Sequence, residues 1–224
     1  MEIKVIMSQL TFKFPFKTTY KKKDFYVSSN NFNTYKLLES WPSWPSKKIN
    51  IHGQSGCGKT HLANILVEKI NSLYVKSLDV NENTIKSLNL KQCLIIDNYE
   101  SNINEELLYS ILNQIDQDNQ YVVINSLIPI KEMKTKLADL NSRLSNFVDF
   151  GIDLPTDELI RVILIKSFSD RQIEVNMKLL DYILNNIERS YEKIFKFIKD
   201  IDIASLTVGK PININLIKQV LKNE

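Results

Sequence analysis

KKINIHGQSGCGKTHLANILVEKI, residues 47–70, is the stretch that decides the fold of this chain. Its beginning, 47–53, predicts a short strand, and the apolar spacing of 60–70 predicts a helix. Between them, residues 53–60 fit G-x-x-x-x-G-K-[ST], which forms a phosphate-binding loop when a strand precedes it and a helix follows it. The sequence therefore predicts a nucleotide site at this turn.

Glycine is concentrated in this loop, which contains three of the five glycines of the chain. Glycine adopts the positive φ values that turn successive backbone N–H groups inward, and these groups bind phosphate together with the helix N-terminus. Lys59 is expected to reach the β- and γ-phosphates and Thr60 to bind Mg²⁺. The expected contacts to ADP or ATP come from Gly53, Gln54, Ser55, Gly56, Cys57, Gly58, Lys59, Thr60 and His61.

Two residues of this stretch are interpreted as structural residues without a catalytic role. Cys57 is interpreted as a small residue that fits the loop, because nothing local argues for a lowered thiol pKa. His61 is interpreted as a packing or loop-orienting residue, because no catalytic partner is visible beside it.

Two later strands end in polar residues that suit a nucleotide site. Asp97 ends the apolar run 93–97, and a carboxylate there can hold Mg²⁺ through water, as in other P-loop proteins. The next residue is Asn98, which can orient water but cannot accept its proton. Asn125, or Ser126 as the alternative, would face the γ-phosphate or the attacking water. We therefore expect firm nucleotide binding and slow hydrolysis, at most a weak ATPase.

Strands and helices alternate up to residue 154 and helices alone follow. Strands are predicted at 47–53, 73–78, 93–98, 121–126 and 147–154, with helices at 28–41, 60–70 and 104–115. Residues 130–144 are expected to be mostly helical. This alternation predicts a parallel sheet covered by helices on both faces. Helical periodicity continues at 156–170, 176–188, 190–205 and 211–222. The predicted parts are an N-terminal segment, an α/β domain and a small helical domain, at 1–24, 25–154 and 155–224.

Composition excludes several classes of protein. The formal net charge of +3 over 224 residues is too small to argue for nucleic-acid binding by charge alone. Two cysteines form no disulfide framework and indicate a reducing compartment. No apolar run approaches the length of a membrane span, and the first residues lack the features of a signal peptide. We expect a cytoplasmic protein without a membrane partner.

Arg143 is one of only four arginines among the 29 basic residues. It lies before the last predicted strand, where it could be an arginine finger presented to the nucleotide of a neighbouring subunit. A surface or helix-capping arginine is the alternative, and the residues alone do not separate the two.

Taken together, these residues resemble the AAA+ module of the DnaA family of replication initiators, and more closely its short Hda-type regulatory relatives in their alphaproteobacterial form. The resemblance implies an AAA+ P-loop domain with a central parallel sheet flanked by helices, followed by an all-helical lid. It extends over nearly the whole chain from Ser8. It is carried by SQLTFKF (8–14), DFYVSSNN (24–31), WPSWP (41–45), GQSGCGKTHL (53–62), LADLNSRL (137–144), DELIRVILIKSFSDRQI (157–173) and RSYEKIF (189–195).

The resemblance also implies roles for individual residues. Tyr26 and Val27, with Phe25, match the segment that lines the adenine pocket. Asn125 matches sensor 1 and Arg143 matches the arginine finger. Sensor 2 falls on Lys193 or Glu192, where many relatives have arginine, and Asn98 replaces an acid found in DnaA.

The N-terminal stretch MSQLTFKFPF, residues 7–16, alternates apolar and polar residues. Alternation suits a strand and equally an extended peptide whose side chains enter pockets on a partner. The resemblance favours the second interpretation, a peptide that binds the DNA sliding clamp. Its binding residues would be Gln9, Leu10, Phe12 and Phe14.

The implied function is regulation of replication initiation. Relatives bind ADP and, with the DNA-loaded clamp, make DnaA hydrolyse its ATP. The expected partners are the clamp and DnaA, with DNA contacted only through the clamp, and a homo-oligomer is possible. A DnaC-type helicase loader and a stand-alone DnaA-like ATPase are the alternatives. The sequence ends directly after the predicted lid, so we expect little sequence-specific DNA affinity.

Overall fold

A parallel sheet is the centre of the first of two units in this computed structural model, which describes residues 22–173, 175–208 and 212–222. The division between the units falls between Leu154 and Pro155. Among the described residues, the strands are β1 (Lys48–Gly53), β2 (Ser72–Lys76), β3 (Cys93–Tyr99), β4 (Tyr121–Ser126) and β5 (Val148–Ile152).

The order of the strands is β2-β3-β4-β1-β5, and every neighbouring pair is parallel. Parallel strands bring all their carboxyl ends to one edge of the sheet. Because β4 lies between β1 and β3, the residues that follow these three strands meet at that edge. The parallel sheet expected from the alternating pattern is confirmed.

Helices cover both faces of this sheet. In the first unit they are α1 (Phe32–Glu39), α2 (Lys59–Lys69), α3 (Glu82–Ser87), α4 (Glu105–Gln117) and α5 (Ala138–Leu144). Successive strand residues point to opposite faces, so Leu94 and Ile96 pack with Leu108 and Ile111 of α4, whereas α2 covers the other side of the sheet and contacts β1, β2 and β3. Each fully buried Leu or Ile contributes about 1.5–3 kcal/mol.

The stretch 130–144, expected to be mostly helical, consists of two helical segments with an interruption between them. A 3-10 helix at Ile130–Glu132 and α5 are separated by residues 133–137. The cause is a tertiary contact: the Glu105 carboxylate accepts hydrogen bonds from the backbone N–H groups of Lys136, over 2.9 Å, and Leu137, over 2.8 Å. These N–H groups are therefore bound to a side chain outside the helix.

Helix α3 was missed by the sequence analysis because it is only six residues long. Its beginning carries a capping box in which the Asn81 side chain accepts from a backbone N–H and Thr84 bonds back to the Asn81 N–H. Such caps satisfy N–H groups that have no partner inside the helix.

The second unit consists of helices α6 (Asp157–Asp170), α7 (Met177–Asn186), α8 (Tyr191–Val208) and α9 (Ile214–Lys222). Side chains cap two of them, since Thr156 accepts from the Leu159 N–H and Asn176 from the Leu179 N–H. The core of this unit is apolar and includes Ile160, Leu164, Phe168, Ile183, Phe197 and Ile217. The expected all-helical segment after the sheet is confirmed for 155–173, 175–208 and 212–222. No helix in the described ranges is both long and apolar enough to span a membrane.

Candidate functional site

The loop between β1 and α2 has positive φ values at its three glycines, a conformation that favours glycine. Gly58, which precedes α2, has a φ of 104°. A Cβ atom on Gly58 would lie 3.0 Å from the Phe25 ring, and one on Gly53 would lie 2.8 Å from the carbonyl oxygen of Ile152. The loop is therefore closely packed on one side. Gln54, Ser55 and Gly56 form its exposed turn.

Lys59 is the first residue of α2 and is 6% exposed. Its Nζ atom donates to the carbonyl oxygens of Gly53, over 2.6 Å, and Gln54, over 3.0 Å. The ammonium group thus lies over the loop, where the first N–H groups of α2 have no partner inside the helix. This arrangement concentrates positive charge and N–H donors at one point, which suits an anion.

Asp97 is fully buried at the carboxyl edge of β3. Its Oδ2 atom accepts a hydrogen bond from the Thr60 hydroxyl over 2.8 Å, and its Oδ1 atom accepts one from Asn125 Nδ2 over 2.8 Å. Asn125 Nδ2 also lies 3.2 Å from the carbonyl oxygen of Lys59. The structure therefore brings the predicted residues of the loop, β3 and β4 into one hydrogen-bonded group.

The two sensor 1 candidates, Asn125 and Ser126, occupy different surroundings. The Ser126 hydroxyl donates to the Ile128 carbonyl oxygen over 2.6 Å and accepts from Asn50 Nδ2 over 2.8 Å. Ser126 therefore stabilises the turn after β4 and its contact with β1. Asn125 instead contacts Asp97, and its Oδ1 atom is buried without a hydrogen-bond partner. A buried unpaired acceptor is expected where a ligand or an ordered water binds.

Tyr74 of β2 belongs to the same group and was missed by the sequence analysis. Its hydroxyl donates to Asp97 Oδ2 over 2.8 Å. The signal that could have found it is a tyrosine close to the carboxyl end of a strand. That signal has value only when the strand order is known, because β2 must lie beside β3 for the contact to form.

The group around Asp97 fits a magnesium ion bound together with a nucleotide. Thr60 donates its single hydroxyl proton to Asp97, so the lone pairs of Thr60 Oγ1 are available to a cation. Asp97 has no ion-pair partner in the described part of the chain, where no cluster of three or more metal-binding side chains occurs either. Magnesium suits such a site, because it keeps several waters and takes few protein ligands beside phosphate.

The segment before α1 contacts the loop through Phe25. The Phe25 ring meets the His61 imidazole edge-on, with centroids 5.2 Å apart, so His61 packs against an aromatic side chain. Asn31 holds the following turn by bonding the carbonyl oxygen of Tyr26 over 3.0 Å. Tyr26 is 37% exposed and Val27 is half-buried.

Cys57 behaves as a packing residue in this structure. It is 4% exposed, and burial raises the pKa of its thiol, partly opposed by the positive charge of Lys59. A thiol with a raised pKa is a poor nucleophile at neutral pH.

Arg143 does not join the group around the loop. It forms an ion pair with Asp116 at the end of α4, and its guanidinium carbon lies 5.0 Å above the Tyr109 ring. Asp116 also pairs with Lys48 over 2.8 Å. Lys48 begins β1 and Gly53 ends it, so Arg143 lies near the amino edge of the sheet, about 16 Å along the strand from the loop.

Two further sets of predicted residues lie elsewhere. Lys193 is half-buried and Glu192 exposed in the first turn of α8, in the second unit. Nearby in sequence, Arg189 pairs with Asp157 over 2.9 Å. The four predicted clamp-binding residues lie outside the described residues. They are Gln9, Leu10, Phe12 and Phe14.

One family model matches the second unit. It is described as "Hda, lid domain" and covers residues 157–221 of this chain. The matched range begins with the first residue of α6 and ends within α9.

Solved structures of similar fold cover both units. Domain III of the Thermotoga maritima replication initiation protein DnaA is 20% identical, with a TM-score of 0.74, over 91% of this chain and 96% of that one. AMPPCP-bound DnaA from Aquifex aeolicus is 19% identical, with a TM-score of 0.64, over 84% of this chain and 66% of that one. The Thermotoga maritima RuvB Holliday junction branch migration motor is 18% identical, with a TM-score of 0.64, over 87% of this chain and 68% of that one. At these identities the likeness shows that the fold is shared, a parallel α/β sheet domain followed by a helical domain.

Proposed function

We propose that this chain is a nucleotide-binding regulator of chromosomal replication initiation. The proposal is supported by the match of residues 157–221 to the family model described as "Hda, lid domain" and by the similarity of the fold to that of DnaA domain III. In this proposal the protein docks on the DNA sliding clamp and stimulates ATP hydrolysis by DnaA, with Arg143 as the arginine finger. Its contact with DNA is indirect, through the clamp.

The proposed ligand is ADP or ATP with Mg²⁺. The buried Lys59, the glycines with positive φ, and the pairing of Thr60 with Asp97 support this ligand. The first N–H groups of α2 and Lys59 would hold the phosphates, while Thr60 and Asp97 would hold the cation. A similar fold, that of Aquifex aeolicus DnaA, was solved with AMPPCP.

The protein's own hydrolysis is proposed to be slow. A bound magnesium ion supplies charge neutralisation at the phosphates. The residue after Asp97 is Asn98, whose exposed amide can orient water but cannot take its proton. Asn125 can hold a water through its unpaired Oδ1 atom. The site therefore suits a stably bound nucleotide better than rapid turnover.

The location of Arg143 is the observation that carries the proposal. Arg143 lies at the amino edge of the sheet, beside Asp116 and Lys48, whereas the phosphate loop lies at the carboxyl edge. Arg143 therefore cannot reach the nucleotide of its own subunit without unfolding the sheet. Its side chain is 28% exposed, and its guanidinium bonds Asp116 through one nitrogen, Nη1. It can present its other N–H groups to a phosphate of another molecule.

The decisive experiment measures ATP hydrolysis by DnaA in the presence of DNA-loaded clamp, ADP and this protein. Arg143→Ala should lower the stimulation by at least about a thousandfold, the lower end of the range for an arginine finger, and leave ADP binding unchanged. Arg161→Ala is the matched control, because Arg161 also pairs with an aspartate, Asp181, but lies in the second unit. Full stimulation by Arg143→Ala would reject the mechanism.

Clamp docking is tested separately, because it depends on residues outside the described range. Gln9→Ala combined with Leu10→Ala should abolish retention on immobilised clamp and leave the melting temperature unchanged. A large fall in the melting temperature would instead indicate a structural strand. Binding to the replicative helicase, with none to the clamp, would favour the helicase-loader alternative.

A further inference from the structure

Tyr74 extends the group of side chains around Asp97, and the proposed function assigns it no role. We propose that Tyr74 is a positioning residue for the divalent cation of the bound nucleotide. Its hydroxyl holds the Asp97 carboxylate in the orientation in which Asp97 and Thr60 meet the metal. The inference rests on the nucleotide site proposed above.

The geometry of the sheet brings Tyr74 to Asp97. Tyr74 of β2 is paired with Ile95 of β3 in parallel register. Ile95 and Asp97 are two residues apart, so their side chains point to the same face of the sheet. A tyrosine side chain spans this offset along the strand, and the Tyr74 hydroxyl lies 2.8 Å from Asp97 Oδ2.

The hydrogen bonds to Asp97 leave room for one further partner. An ionised carboxylate offers about four lone-pair sites. Thr60 and Tyr74 donate to Oδ2, and Asn125 donates to Oδ1. The remaining site suits a water of the magnesium shell, because magnesium retains most of its waters in nucleotide sites.

Tyr74 restrains the carboxylate more than Thr60 alone could. Without Tyr74, Oδ2 keeps a single donor, and that donor is the hydroxyl that also meets the cation. The carboxylate could then rotate away from the direction of the remaining site. Partners that orient metal-binding groups in this way typically change metal affinity by about 10–100-fold when removed.

The test is Tyr74→Phe, which removes one hydroxyl and keeps the ring. ADP binding is measured by calorimetry in EDTA and over a magnesium titration. We expect the half-saturating magnesium concentration to rise about tenfold, with ADP affinity in EDTA unchanged. Urea unfolding in EDTA should stay cooperative, with only the loss of stability expected for one hydrogen bond to a buried carboxylate. Tyr121→Phe is the control, because Tyr121 lies in β4 and packs against Trp41 and Trp44. It should match the wild type in every measurement.

Either of two results would overturn this inference and leave the proposed nucleotide site intact. One is a Tyr74→Phe protein with a wild-type magnesium midpoint. The other is an equal loss of ADP affinity with and without magnesium, accompanied by a lower free energy of unfolding, which would make Tyr74 a general structural residue. A wild-type protein that binds no ADP under either condition would overturn both the inference and the nucleotide site.

Discussion

Arg143 of α5 and Asp116 of α4 form an ion pair at the edge of the sheet opposite the phosphate loop. Lys48 bonds the same Asp116 carboxylate over 2.9 Å, and the Arg143 guanidinium stacks over the Tyr109 ring. A flexible arginine is thereby held in one orientation. The proposed finger is consequently preorganised, which reduces the entropy that must be lost when it meets a phosphate.

We predict that Asp116→Asn weakens the proposed stimulation of DnaA while the fold is retained. Misplacement of a positioned group can lower a rate by about a hundredfold, so we expect a loss of about 10–100-fold, smaller than that of Arg143→Ala. The partly exposed ion pair itself contributes at most about 1 kcal/mol, so unfolding should change little. The measurement is DnaA ATP hydrolysis with loaded clamp.

Asp118→Asn is the matched control for that variant. Asp118 lies at the same end of α4 and accepts a hydrogen bond from Gln114 Nε2 over 2.7 Å, and among the described residues no arginine pairs with it. Equal activity of the Asp116 and Asp118 variants would mean that the ion pair does not orient Arg143.

We predict that Asn98→Asp raises the protein's own ATP hydrolysis. Asn98 follows Asp97 in an irregular part of β3 and has a φ of 58°. Aspartate and asparagine are the non-glycine residues that tolerate this conformation best, so the backbone should be retained. A general base contributes about 10²–10⁴-fold, and we expect an increase of at least about tenfold.

Single-turnover hydrolysis with Mg²⁺ is the appropriate measurement for Asn98→Asp. Lys59→Ala in the same background is the control for contaminating ATPases, since it removes the proposed phosphate contact. No increase in Asn98→Asp would mean that the side chain at position 98 does not limit hydrolysis.

We predict that Gly58→Ala destabilises the protein and lowers ADP affinity. The residue has a φ of 104°, and the new Cβ would lie 3.0 Å from the Phe25 ring. A side chain in such a conformation costs about 1–3 kcal/mol. Gly151→Ala should cost less, because its new Cβ would lie at a similar distance, 3.1 Å, from the His52 ring but Gly151 does not have a positive φ. Urea unfolding of both variants measures the difference in their free energies of unfolding. Equal losses of stability would contradict the role assigned to the positive φ of Gly58.

We predict that the contribution of Glu105 to stability disappears in acid. Hydrogen bonds from the backbone N–H groups of Lys136 and then Leu137 lower the pKa of the Glu105 carboxyl from 4.5. The unfolded chain therefore binds more protons in that range, and stability falls as the pH drops. The stabilisation is complete above the unfolded pKa and is lost as the pH falls through the lower folded pKa.

Glu105→Gln should accordingly lower the free energy of unfolding at neutral pH. Its difference from the wild type should stay constant at pH values well above 4.5 and shrink below that value. Glu106→Gln, on an exposed residue of the same helical turn, is the control and should change little. A difference that stays constant down to the lowest pH would contradict the assignment.

The local order of elements could be predicted because it depends on neighbouring residues. The loop from Gly53 to Thr60 follows a strand and precedes a helix, as the pattern of glycines and apolar residues indicated. The interruption inside the mostly helical stretch 130–144 could not be predicted from the sequence. Its interruption depends on Glu105, which lies 31 residues before Lys136.

Part of the candidate site could likewise be predicted from the sequence, and part could not. Lys59, Thr60, Asp97 and Asn125 could be named because each occupies a distinctive place after a strand or in the loop. Tyr74 could not, since its contact with Asp97 exists only when β2 lies beside β3.

The sequence by itself determined the phosphate loop, the alternation of strands and helices and the change to helices near Pro155, because each follows from short-range residue patterns. Only the tertiary structure decided that β4 lies between β1 and β3, so that Asn125 meets both Lys59 and Asp97. It also decided that Arg143 lies at the opposite edge from the loop. Strand order and the ends of packed helices depend on contacts between distant residues, which no local pattern specifies.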